Sequence, residues 1–208
     1  TLFMNTSPPS AQNMPGYGPT TLVDDEERVK TAEERLSELI DQLIGIVQIQ
    51  EGTATLRRES ADLNQMAREL VDSAQALADR QRIGLDAYAQ GPLFVELDPL
   101  RIIQVIRALL DNALRLTTPG GRVLVETESK DQQAIVRVRD TGAGMSPEET
   151  DQMFRSPRPR EPGTLVPRGL TLFLTKQLVE LHGGQIWAHS DGPGHGSTIS
   201  FSLPLRPG

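Results

Sequence analysis

The sequence contains no cysteine. Disulfide frameworks, thiolate metal sites and cysteine nucleophiles are therefore excluded. Aromatic residues are scarce, at 4%, so the core must be mainly aliphatic, with few aromatic anchors. Basic residues are outnumbered, 21 Lys and Arg against 28 Asp and Glu. The net charge of −7 argues against a nucleic-acid binder, which would carry a basic excess to track phosphates. Long apolar runs are also missing. The longest, Leu43–Val47, has a glycine inside it and is far too short to span a bilayer. Residues 1–23 carry no charge and no compact apolar block, so they do not read as a signal peptide. The chain starts at Thr1, as expected of a fragment or a processed product.

Hydrophobic residues make up 37% of 208, enough for one sizeable domain or one and a half. Residues 1–23 hold Pro8, Pro9, Pro15, Pro19, Gly16 and Gly18 and read as a linker or a disordered arm. From residue 24 the pattern changes. Val29, Leu36 and Leu43 recur every seven residues, as do Ala32, Leu39 and Ile46, with Ile40, Ile44 and Val47 widening the stripe. Two interleaved heptad series predict a helix over 24–50 whose apolar face meets other helices. One helix cannot bury that face alone, so a partner helix is required.

Residues 51–59 read as a joint. Asp62 is placed to cap a second helix, with Leu63, Met66, Ala67, Leu70, Val71, Ala74 and Leu77 on its inner face. A short strand is expected at 94–97. Asp98-Pro99 reads as a cap and a first-turn proline, opening a helix to Leu116. Strands are expected over 122–128 and 134–140. Ser146 and Glu149 have the spacing of a capping box for a short helix ending near Phe154. Residues 155–168, rich in proline and arginine, read as a loop that either faces an anion or is merely solvated. A helix over 170–181 is expected to stop at Gly183, with strands 185–189 and 197–203 closing the chain. This order predicts an α+β fold, a two-layer α/β sandwich. Its sheet is mixed and mainly antiparallel, with helices on one face and the heptad helix in front.

Three residues stand out chemically. Asp140 shares strand parity with Ala134, Val136 and Val138, so its carboxylate points inward. That is costly without a partner. It either bonds a ligand amino group beside Gly142 and Gly144, or closes an Asp-Thr-Gly turn on its own backbone. Asn112 lies on the stripe of Val105, Leu109 and Leu116. Its amide either caps a loop or offers its carbonyl to a metal–phosphate group, with Arg115 one turn on and able to meet phosphate. Ser197 shares inward parity with Ile199, Phe201 and Leu203, while Thr198, Ser200 and Ser202 should face outward. Ser197 could join Asp140 in holding a base, directly or through water.

In order, LRIIQVIRALLDNALRLTTPGG, DTGAGM, MFRSPRPR, GLTLFLTKQLVELHGGQI and GPGHGSTISFSLPL resemble the asparagine, glycine and phenylalanine boxes of one family. This is the catalytic ATP-binding domain of sensor histidine kinases, in the GHKL ATPase superfamily. Five motifs in the family's order and spacing make the resemblance specific, and it covers roughly residues 24–205. After the linker or arm at 1–23, it implies one helix of the dimerisation and phosphotransfer hairpin over 24–55 and the ATP-binding domain over 56–208. It also implies ATP and Mg²⁺ as cofactors. Asp140 would bind the adenine amino group, in a pocket formed with Gly142, Gly144, Met145, Leu116 and Ser197. Asn112 would bind Mg²⁺ and Arg115 phosphate. Gly169 and Leu170 would cover the phosphates at a helix start, under a lid at 155–168.

The implied activity moves the ATP γ-phosphoryl to a histidine, then to an aspartate of a response regulator, in a homodimer located in the cytoplasm. Some positions depart from the family pattern. Ala108 replaces a second amide or acid, Leu116 an aromatic, and Pro167 and Thr171 two glycines. These losses are expected to weaken ATP binding or lid closure, and they keep open a catalytically degenerate signalling or dimerisation module. The only histidines are His182, His189 and His195. None lies on the heptad helix, so the phosphoacceptor is expected outside this chain. His182 is expected to pack or cap a helix end.

Overall fold

Asp62 ends a strand and starts a helix. Its carboxylate accepts from the backbone N–H of Asn64, Gln65 and Leu93 at 3.0, 3.4 and 2.9 Å. Burial alone would raise its pKa. The three N–H donors and the nearby Arg68 charge outweigh that and hold it below the usual value. Asp62 thus ties β1 (Glu59–Asp62), α1 (Leu63–Gln81) and the start of β3 (Phe94–Leu97) together. The computed structural model describes residues 55–155 and 169–205. The arm at 1–23, the heptad helix and all of the lid at 155–168 except Arg155 lie outside the described residues.

β1 and β3 form an antiparallel ribbon. The remaining strands are β2 (Gly84–Tyr88), β4 (Arg122–Lys130), β5 (Gln133–Asp140), β6 (Gln185–His189) and β7 (Ser197–Pro204). They form one sheet in the order β2-β4-β5-β7-β6. Only β2 and β4 run parallel. Among the described residues the helices, besides α1, are α2 (Pro99–Leu116), α3 (Pro147–Gln152) and α4 (Leu170–Leu181). α1 packs on β2 and β4, α2 on β4 and β5, and α4 on β6 and β7. This is the expected mixed, mainly antiparallel sandwich with its helices on one face. Among the described residues, no helix is long and apolar enough to cross a membrane.

The register explains the core. Val125, Val138 and Ile199 lie side by side across three strands, as do Thr127, Val136 and Phe201. All face the helices. Phe201, Leu109, Leu114 and Ile106 are essentially inaccessible, and each such side chain contributes about 1.5–3 kcal/mol relative to exposure.

The joint expected at 51–59 ends in β1, and β2 adds a strand that the sequence pattern does not predict. Leu77, expected on the inner face of α1, is 39% exposed, and Ala78 is fully buried in its place. Around the helix, position 78 falls between Val71 and Ala74 in the middle of the buried stripe, whereas 77 falls beyond Leu70 at its edge. Ser200 and Ser202 lie on the sheet face away from the helices, as parity requires, yet both are buried. Ser200 sits between Arg137 and Trp187, and Ser202 between Ile135 and Gln185. Larger neighbours cover the short side chains.

α3 has the full capping box. Ser146 Oγ accepts from Glu149 N–H, and the Glu149 carboxylate accepts from Ser146 N–H. The helix stops at Gln152, two residues short of the expected end. α4 ends at Leu181 with His182 as its C-cap, and Gly183 follows at φ +80. His182 does more than end the helix. Its Nδ1 donates to the Leu178 carbonyl at 2.7 Å, and its Nε2 accepts from Asp98 N–H at 3.1 Å. Asp98 is the N-cap of α2, so a neutral imidazole links the end of one helix to the start of the other.

Burial lowers the His182 pKa, as does the Arg58 charge. The Leu178 carbonyl and Asp98 oppose this without cancelling it. The unfolded imidazole titrates near about 6.5. Below that pH the unfolded chain takes up the proton before the folded one, so stability falls as pH falls until His182 itself titrates. Thermal melts between about pH 7.5 and 5 should show this slope, and His182→Gln should flatten it. Equal slopes in the two proteins would rule the account out.

Candidate functional site

Asp140 is the last residue of β5, beside Val123 on one side and Ser197 on the other. It faces the helices and is 4% exposed. Its Oδ1 accepts from Gly142 N–H at 2.8 Å, and its Oδ2 accepts a short bond from the Ser197 hydroxyl. The Asp-Thr-Gly turn is therefore formed, but it does not account for the whole carboxylate. Ser197, from a different strand, holds the second oxygen directly rather than through water. Each oxygen keeps a further lone pair for a ligand donor.

The turn after Asp140 is clamped from two sides. Ala143 N–H donates to the Leu116 carbonyl at 3.3 Å, at the end of α2. A Cβ on Gly142 would lie 2.3 Å from that same carbonyl oxygen. On the other side, Gly194 N–H donates to the Ala143 carbonyl at 2.6 Å. Gly144 adopts φ +66, and a Cβ there would lie 2.1 Å from the Gly192 oxygen. Only glycine suits both its backbone angle and its space. Met145 N–H donates to Ser190 Oγ at 3.0 Å, and that hydroxyl donates to the Gly196 carbonyl at 2.7 Å. Ser190 organises this loop, and the sequence alone does not single it out, because one serine before DGPGHG carries no distinguishing pattern.

The structure thus joins Asp140, Gly142, Gly144, Met145, Leu116 and Ser197 in one hydrogen-bonded and packed cluster. Asn112 and Arg115 form a second group, one turn back along α2. Asn112 is 7% exposed. Its Oδ1 accepts from Arg115 Nη2 at 2.7 Å, while its buried Nδ2 has no partner among the described residues. Gly169 and Leu170 begin α4, which packs on α2. Gly169, at φ +83, precedes the first helical residue and provides no side-chain cap. The leading N–H groups are then open to an acceptor.

A magnesium ion needs oxygen ligands. The Asn112 carbonyl that would supply one already accepts from the Arg115 guanidinium, whose positive charge repels a metal ion at the second lone pair, and the unpartnered atom is a donor. Ala108 adds nothing one turn earlier. Among the described residues no three acidic or histidine side chains gather to hold a metal. This donor set fits an anion and does not fit a resident cation, so no step is assigned to one.

The model of the histidine kinase-, DNA gyrase B- and HSP90-like ATPase family matches residues 97–207, more than half of the chain. The circadian input-output histidine kinase CikA of Synechococcus elongatus is 34% identical over 203 residues, covering 90% of this chain. The chain spans only 26% of that relative's own length. Among solved structures, the Acinetobacter baumannii histidine kinase AdeS superposes with a TM-score of 0.70 at 21% identity, covering 86% of this chain and 83% of AdeS. The histidine kinase ThkA, solved in complex with the response regulator protein TrrA, gives a TM-score of 0.66 at 24% identity, covering 91% and 53%. At these identities the superpositions establish the fold. The chain belongs to the histidine kinase-, DNA gyrase B- and HSP90-like ATPase family, and within it carries the catalytic ATP-binding domain of the sensor histidine kinases.

Proposed function

We propose that this chain binds ATP between α2 and the sheet and delivers its γ-phosphoryl to a histidine in a separate segment. The observation that carries this is Asp140. It is a buried carboxylate at a strand end, held by Gly142 and Ser197 yet keeping lone pairs, beside a turn where backbone fills the space a side chain would need. Such a group suits an exocyclic amine like that of adenine, which donates and carries no charge. Arg115 and the open start of α4 suit phosphate oxygens. In the transfer, an imidazole nitrogen attacks the γ-phosphorus, the bond to the bridging oxygen breaks and ADP leaves. The protein then contributes chiefly alignment and charge compensation.

The three histidines of the chain are not suited to accept the phosphoryl. His182 is buried between Leu178 and Asp98, and His189 and His195 lie at a strand end and in a turn. The acceptor therefore belongs to another segment. Relay from it to a response regulator aspartate is supported by the ThkA–TrrA complex, in which a related kinase meets such a protein. The heptad pattern over 24–50 supports a homodimer, and dependence on ATP supports a cytoplasmic site of action. A second reading, a signalling module of the same fold without catalysis, is favoured by Ala108, Pro167 and Thr171.

Calorimetric titration with ATP, and with ADP in parallel, separates the two. Micromolar binding supports the kinase domain, whereas no binding up to millimolar nucleotide supports the degenerate module. Light scattering on the same sample tests the dimer, and a monomeric mass would remove it.

A further inference from the structure

Asn112 presents its two ends differently. Oδ1 is held by the Arg115 guanidinium, and Nδ2 is buried and unpartnered among the described residues. Exchanging the amide atoms would set two donors face to face at 2.7 Å, so Arg115 decides which end is which. A buried N–H without an acceptor is costly. What relieves it is an acceptor oxygen, and a metal ion cannot do so.

The surroundings agree. Ala108 supplies no oxygen one turn earlier. Asp111 is exposed and does not share a helix face with Asn112, although it lies one turn before Arg115. Arg115 itself is exposed, keeps further donors for a ligand, and brings a permanent positive charge to the place where a metal's charge would otherwise be needed.

We infer that Asn112 and Arg115 form an anion clamp for nucleotide phosphates, with the amide N–H on a phosphate oxygen and the guanidinium supplying the charge. Nucleotide binding by this chain then depends little on magnesium. The inference rests on the nucleotide-binding reading above.

The test is calorimetry with ADP and ATP, in magnesium chloride or in EDTA at matched ionic strength. For the unmodified chain the Kd should change less than about threefold between the two conditions. Arg115→Ala removes an exposed side chain and frees the Asn112 carbonyl. It should weaken binding in EDTA by about tenfold or more, with magnesium restoring part of the loss. Asn112→Asp exchanges the donor for an acceptor and should behave likewise, with the melt of the nucleotide-free protein as the folding control. A loss of more than about tenfold when EDTA replaces magnesium in the unmodified chain would overturn the inference alone. So would Arg115→Ala binding as tightly as the unmodified chain in EDTA. Absence of binding in both conditions would overturn the nucleotide reading itself.

Discussion

Asp140→Asn is expected to weaken ATP and ADP binding about a hundredfold, or ~3 kcal/mol, while leaving the melt of the nucleotide-free protein within a few degrees. The substitution keeps size and shape. The oxygen of the new amide can still accept from Gly142 N–H, as Asp140 Oδ1 does at 2.8 Å. The amide nitrogen then meets Ser197, whose hydroxyl rotates from donating to accepting. The internal bonds survive, and the acceptor capacity that is lost is that of the oxygen beside Ser197. An adenine amino group would meet an N–H instead of a lone pair. A ring bearing an oxo group at that position would gain a donor, so guanosine nucleotides should improve relative to adenosine ones. Calorimetry with both bases reads this change. Unchanged ATP affinity would remove Asp140 from the site, and a fall in melting temperature of more than about 10 °C would make it a structural residue.

This prediction is available from the sequence because strand parity is a strict rule. Asp140 follows Ala134, Val136 and Val138 at even spacing, and Ser197 precedes Ile199, Phe201 and Leu203 in the same way. Two polar residues assigned to the same face of adjacent strands could be expected to meet, and they do. The capping box at Ser146 and the cap at Asp98 are legible for a similar reason, since their partners lie three residues away. β2 is not. Its five residues include one buried side chain, Leu85, and its support comes from parallel pairing with β4, a partner remote in sequence. β1 is hidden by its polar sequence, ESAD, and by the long-range character of its pairing with β3. In the site, the spacing of Asn112 and Arg115 places them together, but no pattern tells which amide atom remains unpartnered. That depends on the guanidinium rotamer, which is a property of packing.

Gly142→Ala should lower stability by about 2–4 kcal/mol and nucleotide affinity with it. The added Cβ would lie 2.3 Å from the Leu116 oxygen, 2.7 Å from the Leu116 carbon and 2.9 Å from Asp140 Oδ1. Two of these are backbone atoms at the end of α2 and cannot swing aside as a flexible side chain would. Replacing glycine by alanine also restricts the unfolded chain, which alone favours the variant by about 0.4–1 kcal/mol. The clash is the larger effect, so the sign is destabilising. Relief requires the turn to move off α2, which breaks the Ala143–Leu116 hydrogen bond and draws Gly142 N–H away from Asp140.

Gly91→Ala provides the contrast. Gly91 has φ +65 and nothing within 4 Å of the added carbon. That change should cost about 1 kcal/mol of backbone strain and leave nucleotide binding alone. Thermal melts and calorimetry on the pair separate the two causes. If Gly142→Ala melts like Gly91→Ala, the close approach of the turn to α2 is not what holds the site. If it loses stability yet binds nucleotide normally, Asp140 is oriented by Ser197 alone. The expected loss of both would make the contact between the end of α2 and the glycine turn the point where folding and binding depend on the same atoms.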